Sequence, residues 1–114
     1  MVRMNENSAP IASFLSYSRW TLKRNAEVAD ALALFRDMVQ PAYARIPGCL
    51  SLTLLEVIES RTCLAIAAWD TRDDYDAWVR QGDAWREDNA DAFEQWQSLM
   101  EFEDEFQASI LYEG

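Results

Sequence analysis

Apolar positions along this chain alternate between two rhythms: a period of two, which predicts strands, and a period of three to four, which predicts helices. Ser13 to Lys23 is strand-like, with Ser16, Ser18, Trp20 and Leu22 on one face and Leu15, Tyr17, Arg19 and Thr21 on the other. Asn25 is placed to cap a helix whose stripe is Val28, Leu32, Phe35, Met38 and Val39. Pro41 should kink or end it, with a last turn through about Ala44, and Pro47-Gly48 breaks the chain. Leu50, Leu52 and Leu54 alternate to about Val57, Glu59-Ser60-Arg61 turns, and Thr62–Trp69 returns as a strand apolar enough to be buried on both faces. Thr71 with Asp74 three residues on is a capping-box variant opening a helix to about Gln81. Gly82 interrupts it, and a second segment carries Trp85, Asn89, Ala92 or Phe93, and Trp96 on one side. The run Glu101–Phe106 reads as a solvated approach to a last strand in which Phe106, Ala108, Ile110 and Tyr112 alternate.

The order is β-α-β-β-α-β, an α+β, ferredoxin-like split βαβ arrangement with a four-stranded antiparallel sheet. It occupies residues 13–114 as a single domain, after a polar leader expected to be flexible over residues 1–12. Two helices cover one sheet face. Tyr17, Ser51, Thr53, Leu55 and Leu64 are expected on the other, which predicts a homodimer packed sheet to sheet. Arg19 is then a candidate for an inter-subunit ion pair.

Composition narrows the chemistry. The 114 residues carry 20 acidic and 10 basic side chains and no histidine, a formal charge of −10. That balance argues against a nucleic-acid partner or an anionic membrane surface. Residues 1–82 are nearly neutral; residues 83–114 hold half the acids and a single base, Arg86. The aromatic residues of that stretch, Trp85, Phe93, Trp96, Phe102, Phe106 and Tyr112, predict an ordered acidic face rather than a disordered tail. Without histidine there is no Ser-His or Cys-His pair and no imidazole metal ligand. No apolar run has the length of a signal peptide or a membrane span, so a cytoplasmic protein with reduced thiols is expected. Cys49 and Cys63 fall roughly 23 Å apart along the predicted hairpin, too far for a disulfide. Asp70, Asp73, Asp74 and Asp76 lack calcium-loop spacing and suit a helix N-terminus, so no metal site is expected.

Pro47-Gly48-Cys49-Leu50, then a hairpin, then Ala68-Trp69-Asp70 opening a helix with Tyr75 and Trp78, resembles the antibiotic-biosynthesis monooxygenase (ABM) domain of the dimeric α/β-barrel superfamily over about residues 13–112. The resemblance implies a pocket between the sheet and the helices of each subunit. It also implies a pocket-facing Trp nine residues after the strand-end Trp, which is where Trp78 stands relative to Trp69. Members include cofactor-independent monooxygenases of polycyclic phenols and anthrones, quinol oxidases and heme-degrading enzymes. The heme-degrading branch has a histidine ligand where this chain has Asp88 and an Asn where it has Ser18, which argues against heme degradation. The implied activity is oxidation or oxygenation of an aromatic phenol, anthrone or quinol without cofactor or metal. Trp78 and Ser18 are expected at the chemistry, with Trp20, Phe35, Trp69, Tyr75 and Trp85 around a small aromatic ligand. A buried carboxylate, a tyrosine or water would serve as base. The alternatives are a non-catalytic ligand-binding or interaction module on the same fold, and oxygen-independent isomerase chemistry.

Overall fold

The computed structural model describes residues 13–113, and the leader expected over residues 1–12 lies outside them. Strands β1 (Phe14–Leu22), β2 (Cys49–Val57), β3 (Thr62–Trp69) and β4 (Met100–Ser109) form one antiparallel sheet in the order β2-β3-β1-β4. With the helices between them, this is the ferredoxin-like order that the two periods predict.

The β1 faces follow its alternation, with Phe14 and Leu22 buried at the ends of the inner face. The β2–β3 hairpin pairs Val57 with Thr62 and Glu56 with Cys63, and Glu59 and Arg61 take positive φ in its turn. Cys49 lies opposite Trp69, far from Cys63, and both thiols are free. A bulge between Cys49 and Ser51 turns Cys49 toward the core in front of Leu52 and Leu54. β3 is buried on one face, not two: Cys63, Ala67 and Trp69 are covered by helices, while Leu64, Ile66 and Ala68 are only half-buried. Among the described residues no second layer lies over them. The guanidinium of Arg61 donates to the carbonyls of Lys23 (2.8 Å) and Ala26 (3.1 Å), tying the hairpin turn to the entry of the first helix.

That helix, α1 (Val28–Leu34), starts after Glu27 and not at Asn25, because Arg24 and Asn25 are spent in a turn closed by the Ala26 N–H on the Lys23 carbonyl. Its buried stripe also differs from expectation. Leu32 is 52% exposed, whereas Ala31 and Phe35 are buried in one cluster with Trp96, where the small Ala31 side chain allows close approach. The rod runs on past Pro41 and ends at Ala44, as expected. A π-helical turn at Phe35–Val39 precedes the proline, which lies in the first turn of α2 (Gln40–Ala44). Proline has no N–H for the carbonyl of Asp37 and its ring would strike that carbonyl; the wider turn relieves both.

The second helical region has two breaks where one was expected: α3 (Arg72–Arg80), α4 (Gly82–Asp88) and α5 (Ala90–Leu99). Thr71 caps α3 as predicted, its hydroxyl oxygen accepting from the Asp74 N–H (3.1 Å) and its O–H donating to the Asp74 carboxylate (2.9 Å). At the unforeseen break, the Asn89 amide donates to the carbonyl of Trp85 (2.9 Å) and its oxygen accepts from Arg45 (3.1 Å). A side chain thus satisfies a backbone group that the helix end leaves open.

β4 begins at Met100, six residues before the predicted strand, and Ile110 and Tyr112 lie beyond its end. The acidic run is therefore strand, not approach. Its ladder is irregular: Asp104 pairs with Arg19 and Phe102 with Trp20, leaving Glu103 unpaired in a bulge. Phe102 consequently faces the helices, edge-on to Trp20 at 5.2 Å, while Phe106 faces out, stacked on Tyr17 at 4.6 Å. Arg19, the candidate for an inter-subunit pair, has a partner within its own chain, Asp104 at 3.3 Å.

The Pro47-Gly48 break is fixed by contact. Gly48 has φ +83, its carbonyl accepts from the Asp70 N–H, and an added Cβ would fall within 2.5 Å of the Asp74 side chain that completes the Thr71 cap. Gly48→Ala should destabilise the fold by about 2 kcal/mol or more, through the left-handed backbone and the displaced cap together. Thermal unfolding should show a midpoint lower by roughly 8 °C or more.

Candidate functional site

Between the inner face of the sheet, the π-helical turn and helices α2 to α5 lies a cavity of about 490 Å³. β1 supplies Ser16, Ser18 and Trp20 to its floor, because alternate residues of a strand share a face. The π-helical turn brings Phe35, α3 brings Tyr75 and Trp78, and α4 brings Trp85 and Arg86. Ser18, Trp20, Phe35, Tyr75, Trp78 and Trp85, six of the seven residues singled out from sequence, converge on this cavity. Trp69 does not line it. Its ring is fully buried in the core 5.5 Å from Trp78, which it backs.

The indoles differ in what their N–H groups do. Trp20 donates to the Ser18 oxygen (2.7 Å) and Trp69 to the Ser16 oxygen (2.9 Å). Each serine keeps its own O–H to donate elsewhere. The Trp78 N–H is buried and has no partner among the described residues. An orphaned buried donor costs about 1–3 kcal/mol, which an acceptor brought by a ligand would recover. Trp78 is held by aromatic contacts, with Tyr43 at 5.6 Å, Trp85 at 5.9 Å and Tyr75 at 6.1 Å between ring centroids. On the opposite side Trp20 meets Trp96 at 5.8 Å and Trp96 meets Phe35 at 5.9 Å. The two groups form aromatic walls suited to a flat ring.

Tyr43, Trp96, Arg86 and Glu105 are among the cavity residues that sequence reasoning missed. Tyr43 follows Pro41 in a helix expected to be ending, and Trp96 was read only as part of a stripe. Arg86 pairs with Asp83 at 3.4 Å and lies over the Phe93 ring at 5.5 Å. Glu105 enters through the β4 bulge, which no local pattern announces. Burial pushes the Tyr43 phenol well above its usual range, with the nearby Cys49 adding to the effect and Arg86 opposing it. The Tyr75 phenol is also raised, chiefly by burial and then by Glu105 and Asp76, against a hydrogen bond to Gln107. Both tyrosines are therefore protonated donors at neutral pH. Among the described residues no group of three or more His, Cys, Asp or Glu side chains could hold a metal ion, and no helix is long and apolar enough to cross a membrane.

Residues 19–87 match the sequence pattern of the family described as antibiotic biosynthesis monooxygenase. No curated protein matches the chain. Among solved structures, SnoaB, a cofactor-independent oxygenase from Streptomyces nogalater, is similar with a TM-score of 0.64 at 19% identity, over 90% of this chain and 97% of that one. An antibiotic biosynthesis monooxygenase assigned by likeness in Bordetella bronchiseptica gives 0.60 at 18% identity, over 88% and 99%. A dimeric ferredoxin-like protein from an uncultured marine organism gives 0.67 at 12% identity, over 96% and 97%. At these identities the structural likeness carries the fold alone.

The buried phenol makes a pH prediction. The native state holds the Tyr43 proton above the ordinary value of 10.0, so its contribution to stability is complete below that pH and is lost as pH rises through the higher native value. Cys49 and Cys63, raised by burial from 9.0, act in the same direction. Urea midpoints should therefore fall between pH 9 and 11, and less steeply in Tyr43→Phe.

Proposed function

The chain belongs to the antibiotic biosynthesis monooxygenase family, and on that premise we propose that it oxygenates or oxidises a small aromatic phenol, anthrone or quinol with dioxygen and no cofactor. The observation that carries this reading is the unpartnered Trp78 N–H beside an aromatic-walled cavity of about 490 Å³. A deprotonated phenol is itself the electron donor to dioxygen, so the protein's work is to bind the ring, exclude water from it and stabilise the oxyanion. Trp78 supplies one donor, and the Ser18 O–H, its oxygen already engaged by Trp20, supplies a second. Trp20, Phe35, Tyr75 and Trp85 hold the ring plane, and Trp69 positions Trp78 from behind. The likeness to a cofactor-independent oxygenase supports the same class of chemistry.

The proposal includes a homodimer formed through the outer sheet face, where Leu55 and Phe106 are 43% and 40% exposed. The likeness to a dimeric ferredoxin-like protein supports it. Reduced thiols at Cys49 and Cys63 suit the cytoplasm as its compartment.

Oxygen uptake with anthrones and naphthols, measured with an electrode, tests the activity. Trp78→Phe should keep the fold and slow uptake on the order of 10²-fold, as loss of one oxyanion donor does. Tryptophan quenching without oxygen consumption would identify a binding module instead, and turnover equal under anaerobic conditions would identify an isomerase. Ultracentrifugation should give twice the chain mass of 13.1 kDa, and Leu55→Asp should shift it to the monomer; a wild-type monomer at micromolar concentration removes the dimer.

A further inference from the structure

Glu105 reaches the cavity because Glu103 drops out of the β1–β4 ladder. In a regular strand with Phe102 facing inward, Asp104 and Phe106 would face inward as well and Glu105 outward. The bulge reverses this, sending Asp104 to Arg19 on the outer face and turning Glu105 and Gln107 to the inside. Glu105 is the one carboxylate among the residues lining the cavity, and Arg86 the one cation. It stands directly across the ladder from Ser18, within reach of the oxygen that Ser18 and Trp78 would hold. Tyr43 and Tyr75, two further ionisable groups lining this space, are kept protonated by burial and cannot accept a proton near neutrality.

Resting on the oxygenase reading above, we propose that Glu105 is the base that takes the acidic proton of a hydroxylated aromatic substrate. The substrate O–H bond breaks and its electron pair stays on oxygen as the phenolate. The proton forms a new O–H bond on the Glu105 carboxylate. Glu105 is exposed at the cavity mouth, so the proton leaves from there to water and the carboxylate is restored. The phenolate that remains faces the Ser18 and Trp78 donors, and dioxygen is the oxidant that consumes it.

Two phenols on one ring skeleton test this, one weakly acidic and one substituted so that it is already ionised at the assay pH. Glu105→Gln preserves shape and removes the charge. It should slow oxygen uptake with the weak acid by about 10²-fold or more, the usual contribution of a positioned base, and with the ionised phenol by less than about threefold. Equal losses on both substrates, or no loss on either, overturn the proposal. A second measurement is independent of turnover: tryptophan-fluorescence titration with the weakly acidic phenol and its methyl ether. Wild type should bind the phenol at least about tenfold more tightly, as expected for a hydrogen bond to a charged acceptor, and Glu105→Leu should abolish the preference. A wild type that consumes no oxygen but shows this preference would sink the oxygenase reading while keeping Glu105 as acceptor. A wild type with no preference overturns the assignment of Glu105.

Discussion

An indole N–H taken into an apolar layer without an acceptor is costly, and this chain meets that cost for two of its rings with two serines on one strand. Trp20 and Trp69 donate to Ser18 and Ser16, successive inward positions of β1. Each bond contributes only about 1 kcal/mol net, but either indole without it would carry the larger cost of a buried orphan. The two rings diverge from this shared anchor. Trp20 packs with Phe35 and Trp96 near one end of the sheet, and Trp69 with Phe14 and Ile46 near the other. The cavity occupies the interval between the two packed groups. The neighbouring Trp78 has no serine to meet it, and the site is built around that omission.

What the sequence disclosed is what depends on period and spacing. The β1 faces, the hairpin register that keeps Cys49 from Cys63, the Thr71–Asp74 cap and the Gly82 break all follow from residues a few positions apart. Trp20, Phe35, Tyr75, Trp78 and Trp85 were legible for the same reason, because large aromatic side chains at strand and helix period turn inward together. Trp69 misled because total burial and ligand contact have the same sequence signature. The stripe of α1 was misread at Leu32 because a small residue, Ala31, decides how closely the helix approaches Trp96. β3 seemed doubly buried because its outer residues are apolar, yet an apolar sequence does not say whether a second layer exists.

Three departures from regular geometry surround the cavity, and the hydrophobic periodicity announces none of them. The π-helical turn before Pro41 contributes Phe35. The break at Asn89 falls between Trp85 and Ala92, both of which line the cavity. The β4 bulge turns Glu105 to the same space. Regular strands and helices give the core its density, whereas an extra residue in a turn or ladder redirects a side chain without moving the element that carries it. A strict period-two reading of residues 100–109 therefore assigns the wrong face to every position after Glu103.

The placement of β4 gives the acidic third of the chain a role in keeping copies apart. Among the described residues β4 is the last strand on its side of the sheet, so one row of its backbone N–H and C=O groups is unpaired there. Such an edge is a template for strand addition and, repeated from copy to copy, for fibrous aggregation. Glu101, Glu103, Asp104 and Glu105 place four carboxylates within five positions of that edge. A second β4 drawing alongside would set like charges opposite one another at strand spacing, less than the screening length of physiological salt. Asp104 is neutralised by Arg19, but the other three have no ion pair among the described residues, so the electrostatic barrier stands along the rim of the sheet. The charge excess carried by this strand thus acts as a guard against polymerisation.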